Sequence, residues 1–577
     1  MYGWRTQASW RLITVRFFLS QSVEMKAPRS VPARLLSAVF GVGLACAGAI
    51  ATAGPAAGAG APSSPSQARS TVTLMLTPAN RAALYKLAST ADVPRATRAK
   101  RLAAVRPTRS ARATVVKQLR HLGLTVGRQT TWSVTASGPA QRVNAVFGSG
   151  TRHAPKSIAK YVTSVVSTQT KPARHPLGLT TVLPNTVAAP PYDGTALRSL
   201  YQQSTDGAPG GGTIATLQFD GYDNTDLQTY ANDHAIPFDV NNPTQYVEVS
   251  VDGYNPRYVP DSSLGINSGA TEVALDQETL LGVAPHSAQR VYFTPNSDAG
   301  SVDALHRVAA DASDATHSYY HLVALSTSWG VCEPNDPVLQ SEEDAIAEIV
   351  AAGVTVFAAT GDGGGYDCRP SGFGSVPPPK PAVDFPASSP FVVAVGGTTR
   401  WPGSNDSGWG GLYGNVYEGS GGGASQVFAR PGYQANVGTS YGNHRLVPDI
   451  AAVADPATGY KVYAGGQYST LGGTSLAAPA TTAMFVNSLQ YPGLRGRGDI
   501  HLYLYDAPAG AIKDVTVETV NQSALHPAKP GYDLSTGLGV PVWNTLGPFV
   551  GRQPRFTAPS TGPWGTPPAG GHAPPSW

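Results

Sequence analysis

The chain has 577 residues, 41% hydrophobic and 14% charged, enough to bury a sizeable core and too many for one small domain. A formal net charge of +4 over that length is too slight to hold nucleic acid or an anionic membrane by bulk charge. The 64 glycines and 49 prolines announce a fold rich in turns and loops, and lysine and arginine gather in the first third, leaving the remainder more acidic.

Residues 1–24, of mixed polarity with Trp4 and Trp10, read as an upstream extension of a chain whose natural start is Met25. Residues 25–60 read as a secretory signal peptide. Lys26, Arg29 and Arg34 precede the apolar run Leu35, Leu36, Val39, Phe40, Val42 and Leu44, and the small residues Ala51-Thr52-Ala53 follow it. The run is short and broken by Gly43, which argues against a lasting transmembrane helix and against a lipoprotein role for Cys46. The expected location is therefore extracellular. Cleavage would leave Cys332 and Cys368, either a disulfide in an oxidising compartment or two buried thiols.

Residues 61–70 continue as an Ala/Gly/Ser/Pro linker. The basic segment 71–190 then alternates strand-like and helix-like text. Thr71 to Leu76, Leu124 to Val126 and Trp132 to Thr135 read as strands; Pro78 to Leu87, Val115 to Leu122 and Ala140 to Phe147 read as helices. An α+β sandwich fits, interrupted by Arg/Ala-rich text from Arg95 to Arg112, and no polar cluster in it converges on a chemistry. Pro184 to Pro191 reads as an exposed linker of the kind proteases cut.

From 191 to 550 the pattern becomes that of an α/β domain. Apolar strands at Thr213 to Phe219, Arg290 to Thr294, Leu322 to Ser326, Val354 to Ala359 and Phe391 to Val395 alternate with helices at Asn224 to His234, Val302 to His317 and Leu339 to Ala352. Such alternation indicates a parallel sheet covered on both faces, with ligands at the carboxyl ends of its strands. Ser328-Trp329-Gly330 follows one of those ends and Gly361-Asp362-Gly363 another.

The stretch Gly472-Gly473-Thr474-Ser475 sets a serine on a tight turn before a run of small helix formers. Its hydroxyl would meet the positive end of a helix, as a nucleophile or simply as an N-cap. A base of the chymotrypsin or subtilisin type requires histidine. None of the 12 histidines lies in a Gly-rich His-Gly-Thr context, and His234, His286, His306 and His317 read as ordinary helix-face or turn residues. Carboxylates offer the alternative. Glu272 and Asp276 share a helix face by their spacing, beside Val273, Leu280 and Leu281, and the competing reading is a solvated acidic face.

In that order, Glu272-x-x-x-Asp276, Gly282-Val283-Ala284-Pro285, Ser328-Trp329-Gly330, Gly361-Asp362-Gly363 and Gly472-Gly473-Thr474-Ser475-x-x-x-Pro479 resemble the sedolisin (serine-carboxyl peptidase) family over about Tyr192 to Leu546. The segment before them resembles the inhibitory activation prodomain of kumamolisin-like members. The resemblance implies a subtilisin-like parallel sheet flanked by helices, preceded by an α+β prodomain. It implies a nucleophile at Ser475, a general base at Glu272, Asp276 orienting it, and Asp362 as oxyanion-hole donor. Ser328, Trp329 and Gly330 would line the substrate cleft. Two close carboxyls cannot both ionise cheaply, and a protonated Asp362 can donate to an oxyanion, so the machinery points to acid.

Lys513-Asp514-Val515-Thr516 and the loop through Asp533 offer hard oxygen ligands, though turn-forming Asp and Gly explain the text equally. The resemblance implies one structural Ca2+ ion held by the side chains of Asp514 and Asp533 and the carbonyls of Val515, Lys529 and Gly531. Residues 551–577 have too little apolar content for a core and read as a disordered tail. The reading is a secreted, acid-acting endopeptidase made as a zymogen. Its expected partners are protein or peptide substrates and its own prodomain, with no nucleic acid, no stable membrane association and a monomeric state. The rivals are a subtilisin-type hydrolase with an unrecognised histidine and an inactive binding protein of the same fold.

Overall fold

The computed structural model describes residues 68–89, 95–167, 174–176, 191–204, 206–207, 212–255, 269–314, 321–368, 380–413, 416–489, 497–518 and 526–552. The expectations for the extension, signal peptide and Cys46, for most of the two linkers, and for His317, Pro377 to Pro379 and the tail beyond 552 lie outside the described residues. Among the described residues no helix is long and apolar enough to cross a membrane.

The basic segment forms β1 (Arg69–Leu76), α1 (Arg81–Ala88), α2 (Arg95–Val105), α3 (Arg109–His121), β2 (Thr125–Gln129), β3 (Ser133–Pro139), α4 (Ala140–Phe147) and β4 (Val162–Ser167). Its strands make an antiparallel sheet in the order β2-β3-β1-β4, with Val72 opposite Ala136 and Leu74 opposite Val165. Alternate residues Val72, Leu74 and Leu76 point into a private core with Val115, Leu119, Val134, Val143 and Phe147. The Arg/Ala-rich stretch read as an interruption is instead the helix α2, whose Leu102 and Val105 are buried three residues apart. Leu102, Val105, Leu84 and Trp132 belong to the larger core of the following domain, so the segment is packed on it.

After β5 (His175–Pro176) the chain runs through α5 (Gly194–Leu200), β6 (Thr213–Gln218), α6 (Asn224–Asp233), β7 (Tyr246–Ser250), α7 (Gly269–Val283), β8 (Ala288–Phe293), α8 (Asp298–Ser313), β9 (Leu322–Thr327), β10 (Trp329–Cys332), α9 (Leu339–Ala351), β11 (Thr355–Ala359), β12 (Asp384–Phe385), β13 (Val392–Thr399), β14 (Ser407–Gly408) and α10 (Thr474–Ser488). The main sheet runs β14-β13-β11-β9-β6-β8-β7, and the strand Ile450–Val453 also joins β13. Its pairs are parallel apart from β14, with Leu217 opposite Tyr292 and Ala358 opposite Ala394. This is the subtilisin-like α/β fold. Helices α7 and α10 pack against each other, and α10 is buried all round from Thr474 to Asn487, as its uncharged text of apolar and small residues allows. The closing helix Trp543–Arg552 carries ordered chain slightly past the expected boundary at 550.

One buried ion cluster pins the start of β13. Asp449 accepts from Arg445 at 2.7 and 2.5 Å, from Tyr505 Oη at 2.7 Å and from the Ala394 amide at 2.8 Å. His501 lies between Asp449 and Asp499, at 3.3 and 2.7 Å. Burial alone would raise the Asp449 pKa, but Arg445 and His501 hold it below the usual carboxylate range. Burial would lower His501, yet its two carboxylates push it up to about 9. The signs follow by linkage. The Asp449 contribution is lost only as pH falls through its depressed pKa. The His501 contribution is complete below about 6.5 and is lost as pH rises through about 9. We expect Asp449→Asn to cost about 3–5 kcal/mol in urea unfolding near neutral pH, the range for breaking a buried pair. A cost below about 1 kcal/mol, the level of an exposed pair, would remove the cluster from the stability account.

Candidate active site

The two glycines before Ser475 are required by the turn that presents it. Gly473 has φ 97° and is the N-cap of α10, and a Cβ on Gly472 would sit 2.3 Å from the Ala454 carbonyl oxygen. Ser475 therefore lies inside the first turn of α10 rather than at its cap, so the N-capping alternative does not describe it. Four residues on, Pro479 has no N–H to bond the Ser475 carbonyl. That carbonyl instead meets Ser328 Oγ at 3.4 Å.

Glu272 lies in the first turn of α7 and Asp276 one turn later, both fully buried, which excludes a solvated acidic face. Asp276 accepts from Ser328 Oγ at 2.8 Å and from Gln218 Nε2 at 2.7 Å. Trp329 Nε1 donates to Gln218 Oε1 at 2.7 Å. An indole N–H can only donate, so it fixes the Gln218 amide with its NH2 toward Asp276. Burial pushes the Asp276 pKa up to about 7 against the pull of those two bonds. Burial and then repulsion by Asp276 raise Glu272 well above the usual range. Ser475 and Ser328 are near enough to favour the charged form of Glu272. Even so, neither Glu272 oxygen nor Ser475 Oγ has a hydrogen bond of standard geometry. A buried hydroxyl and a buried carboxyl thus stand together without another use.

Asp362 follows β11 on the loop at its carboxyl end. Its Oδ1 accepts from the Thr474 amide at 2.8 Å and from Thr474 Oγ at 2.9 Å, which ties it to the residue before Ser475. Ser328 and Trp329 are buried, and β10 is an edge strand in neither direction. It pairs with β12 on one side and, antiparallel, with β5 of the basic segment on the other, Gly330 opposite His175 and Trp329 opposite Pro176. Cys332 at the end of β10 is bonded to Cys368 on the Asp362 loop. The histidines engage elsewhere: His306 with Glu348, His501 with Asp449, and His234 with the Tyr230 carbonyl.

Gln218, Thr474 and the strand β5 were not singled out from sequence. The one available signal for Gln218 was a polar residue at the carboxyl end of an otherwise apolar strand.

The Asp514 and Asp533 loops do meet. The Gly531 amide donates to Asp514 Oδ2 at 2.8 Å and the Lys529 amide to Asp533 Oδ2 at 3.0 Å. Asp533 is fully buried, with its pKa raised by burial against four hydrogen bonds. Among the described residues no three His, Cys, Asp or Glu side chains cluster for a metal. A cation here would need these two carboxylates together with main-chain carbonyls. That all-oxygen set suits calcium.

Comparison with known proteins follows this geometry. The subtilase family profile (Peptidase S8) matches residues 276–539. Kumamolisin of Bacillus sp. (strain MN-32) is 33% identical over 473 residues, covering 73% of this chain and 79% of that protein. Sedolisin of Pseudomonas sp. (strain 101) is 28% identical over 367 residues, covering 59% of each. The solved structure of Pseudomonas sedolisin complexed with two molecules of pseudo-iodotyrostatin superposes with a TM-score of 0.53 at 26% identity, over 63% of this chain and 98% of that one.

Because Asp276 raises Glu272, removing its charge has a defined sign. In Asp276→Asn, Glu272 should ionise at lower pH than in the parent, observable as a downward shift of its carboxyl titration by isotope-edited infrared spectroscopy. An unchanged or upward shift would mean that the two groups do not interact electrostatically.

Proposed function

The chain belongs to the sedolisin family and is a serine-type peptidase, and we propose that it is a secreted, acid-acting serine-carboxyl endopeptidase made as a zymogen. The observation that carries this reading is the burial of Ser475 and Glu272 together, with no other hydrogen-bond partner for either reacting group. Glu272 takes the Ser475 proton as the hydroxyl attacks the peptide carbonyl. Imidazole would already be protonated in acid and could not do so. Asp276, held by Gln218 and Ser328, orients Glu272 and makes its proton affinity high. Asp362 Oδ1 is committed to Thr474 as an acceptor, which leaves Oδ2 to carry the proton donated to the oxyanion. One such donor is worth about 100- to 1000-fold in turnover. Glu272 then returns the proton to the leaving amine, and a water repeats the sequence on the acyl-serine.

The zymogen reading is supported by the two sides of the 71–190 segment's contact with the domain. Arginines stand on one side and carboxylates on the other: Arg81 with Asp344 at 2.7 Å, Arg106 with Glu348, and Arg128 with Asp252 and, at 3.3 Å, Asp303. Trp132 stacks on His306 with centroids 4.1 Å apart. Arg81 lowers the pKa of Asp344 and Arg128 that of Asp303, both of which burial raises. Each arginine favours the charged form of its carboxylate, so protonating the carboxyl forfeits the ion pair. Residues 174–176 along β10 occupy the edge where a substrate strand would add.

The reading also includes one structural calcium ion at Asp514, Asp533 and the carbonyls of Val515, Lys529 and Gly531. When bound, it would hold the two loops together without taking part in the chemistry.

Two outcomes test this reading. A precursor purified at neutral pH and shifted to about pH 4, near the reference carboxylate values, should lose the segment before about residue 190 and digest denatured protein. In Glu272→Gln the chain should stay full length and turnover should fall by about 100- to 10,000-fold. Full activity in a folded Glu272→Gln protein would sink the mechanism, and wild-type activity with the segment still attached would sink the zymogen. Separately, chelation should lower the melting temperature of wild type but not of Asp533→Ala. An ion at a hundredfold excess over its Kd adds about 2.7 kcal/mol. A wild type that is purified without calcium and indifferent to chelator would show that no such site operates.

A further inference from the structure

Arg174 differs from the other arginines of the segment. Arg81, Arg106 and Arg128 lie at the rim, with side chains 29, 25 and 47% exposed, whereas that of Arg174 is 3% exposed. It precedes the two residues that pair with β10, and its guanidinium enters a pocket built wholly from the catalytic domain. Arg174 Nη2 lies 2.5 Å from Glu342 Oε1, in the first turn of α9, and 3.5 Å from Asp336 Oδ2, in the turn after β10. The side chains of Glu342 and Asp336 are 2 and 0% exposed, and Asp336 Oδ2 is buried without a hydrogen bond. Asp298, at the start of α8, adds its field to the same guanidinium. Leu305, Ile346 and Phe219 wall the space beside it, keeping water away and strengthening the attraction.

The main chain of residue 174 is held independently of its side chain. Asn296 Nδ2 donates to the Arg174 carbonyl at 2.8 Å, and the Arg174 amide donates to Asn296 Oδ1 at 2.8 Å. One side-chain amide thus grips both backbone groups of an extended residue, which any amino acid except proline offers. A backbone clamp beside a side-chain pocket, in line with an antiparallel strand edge, is how a cleft reads an extended peptide: the main chain is recognised generally and alternate side chains specifically.

From this we infer that the Asp336–Glu342 pocket is a substrate subsite selecting arginine, and lysine less well, at the position just N-terminal to the residue registered opposite Gly330. The inference rests on the reading of β10 as the substrate-pairing strand. With the prodomain gone, the pocket would hold two carboxylates with no cation between them, and a substrate arginine would restore the pairing. The planar guanidinium can reach both carboxylates at once, whereas an ammonium meets them as a point charge. A neutral side chain would leave the two close carboxyls to share a proton and would forgo the charge-assisted contacts that a guanidinium makes.

Peptides copying residues 171–179, with Arg, Lys, Gln or Ala at the position of Arg174, are given to the acid-treated full chain beside a denatured protein as activity control. Expected is a kcat/KM for the Arg peptide roughly 30-fold or more above the Ala peptide, the low end of what truncating one partner of a buried hydrogen-bonded charge pair costs, with Lys between them. In Asp336→Asn/Glu342→Gln the Arg-to-Ala ratio should collapse to within about threefold, since the charge that made the preference is gone. Peptides cut equally, or left uncut while the protein is digested, overturn the subsite and leave the peptidase reading standing. An undiminished Arg preference in the double variant also overturns it, because the reader then lies elsewhere. Failure to digest either substrate takes down the peptidase reading and the subsite with it.

Discussion

Two carboxyl groups one helical turn apart, both fully buried and with no ion pair among the described residues, are the constraint on which the site depends. Water removal alone makes ionising either expensive, and each makes the other worse. The surrounding structure reads as a response to that problem. Ser328 and Gln218 supply hydrogen bonds to Asp276 but not to Glu272, so the two chemically similar groups are made unequal. Trp329 fixes Gln218, and thereby connects β10 to the carboxyl pair. The parallel sheet brings these parts together because β6, β9 and β11 all end on the same side, delivering Gln218, Ser328 and Asp362 from strands far apart in sequence.

Much of this was legible in the residues. Alternating apolar strands and helices located β6, β8, β9, β11 and β13 within a few residues, because parallel strands buried on both faces read as continuous apolar runs. The helical spacing of Glu272 and Asp276 placed them on α7, but spacing cannot distinguish a solvated acidic face from a buried one. That distinction comes from α10, some two hundred residues later, packing over them. Gln218 was invisible as a functional residue because its partners, Trp329 and Asp276, meet only in the folded sheet. The Arg/Ala-rich stretch from Arg95, read as an interruption, misled for a related reason: Arg106 shows no local sign of its partner until Glu348 of α9 appears opposite. The carboxylates of α9 itself, Glu342, Asp344 and Glu348, carry no local sign that their cations stand on a different part of the chain.

The basic segment has its own core yet lends Leu84, Leu102, Val105 and Trp132 to that of its neighbour. Apolar burial and charge pairing at one interface respond differently to conditions. Burial of Leu102 and Val105 is insensitive to protons, while the arginine pairs are not. Such an interface is held at neutral pH by both terms and in acid by the apolar one more than the ionic one. The Asp449 cluster behaves in the opposite way, because its carboxylate is depressed rather than raised and keeps its charge as the medium acidifies. The protein therefore contains ion pairs of two kinds, one suited to persist in acid and one suited to give way.

The pairing of β5 with β10 has a consequence for concentration. While residues 174–176 belong to the same polypeptide as β10, their local concentration is set by chain connectivity and not by the amount of protein in solution. Occupancy is then the same in a crowded solution and in a dilute one. Once the connection is severed, the same strand becomes a separate molecule whose occupancy follows the ordinary law of mass action. Dilution then empties the cleft with no further change in its affinity. Under the proposed activation, a cut made in a confined volume would leave the edge of β10 largely filled, whereas the same cut in a large one would empty it, so volume itself becomes a control variable.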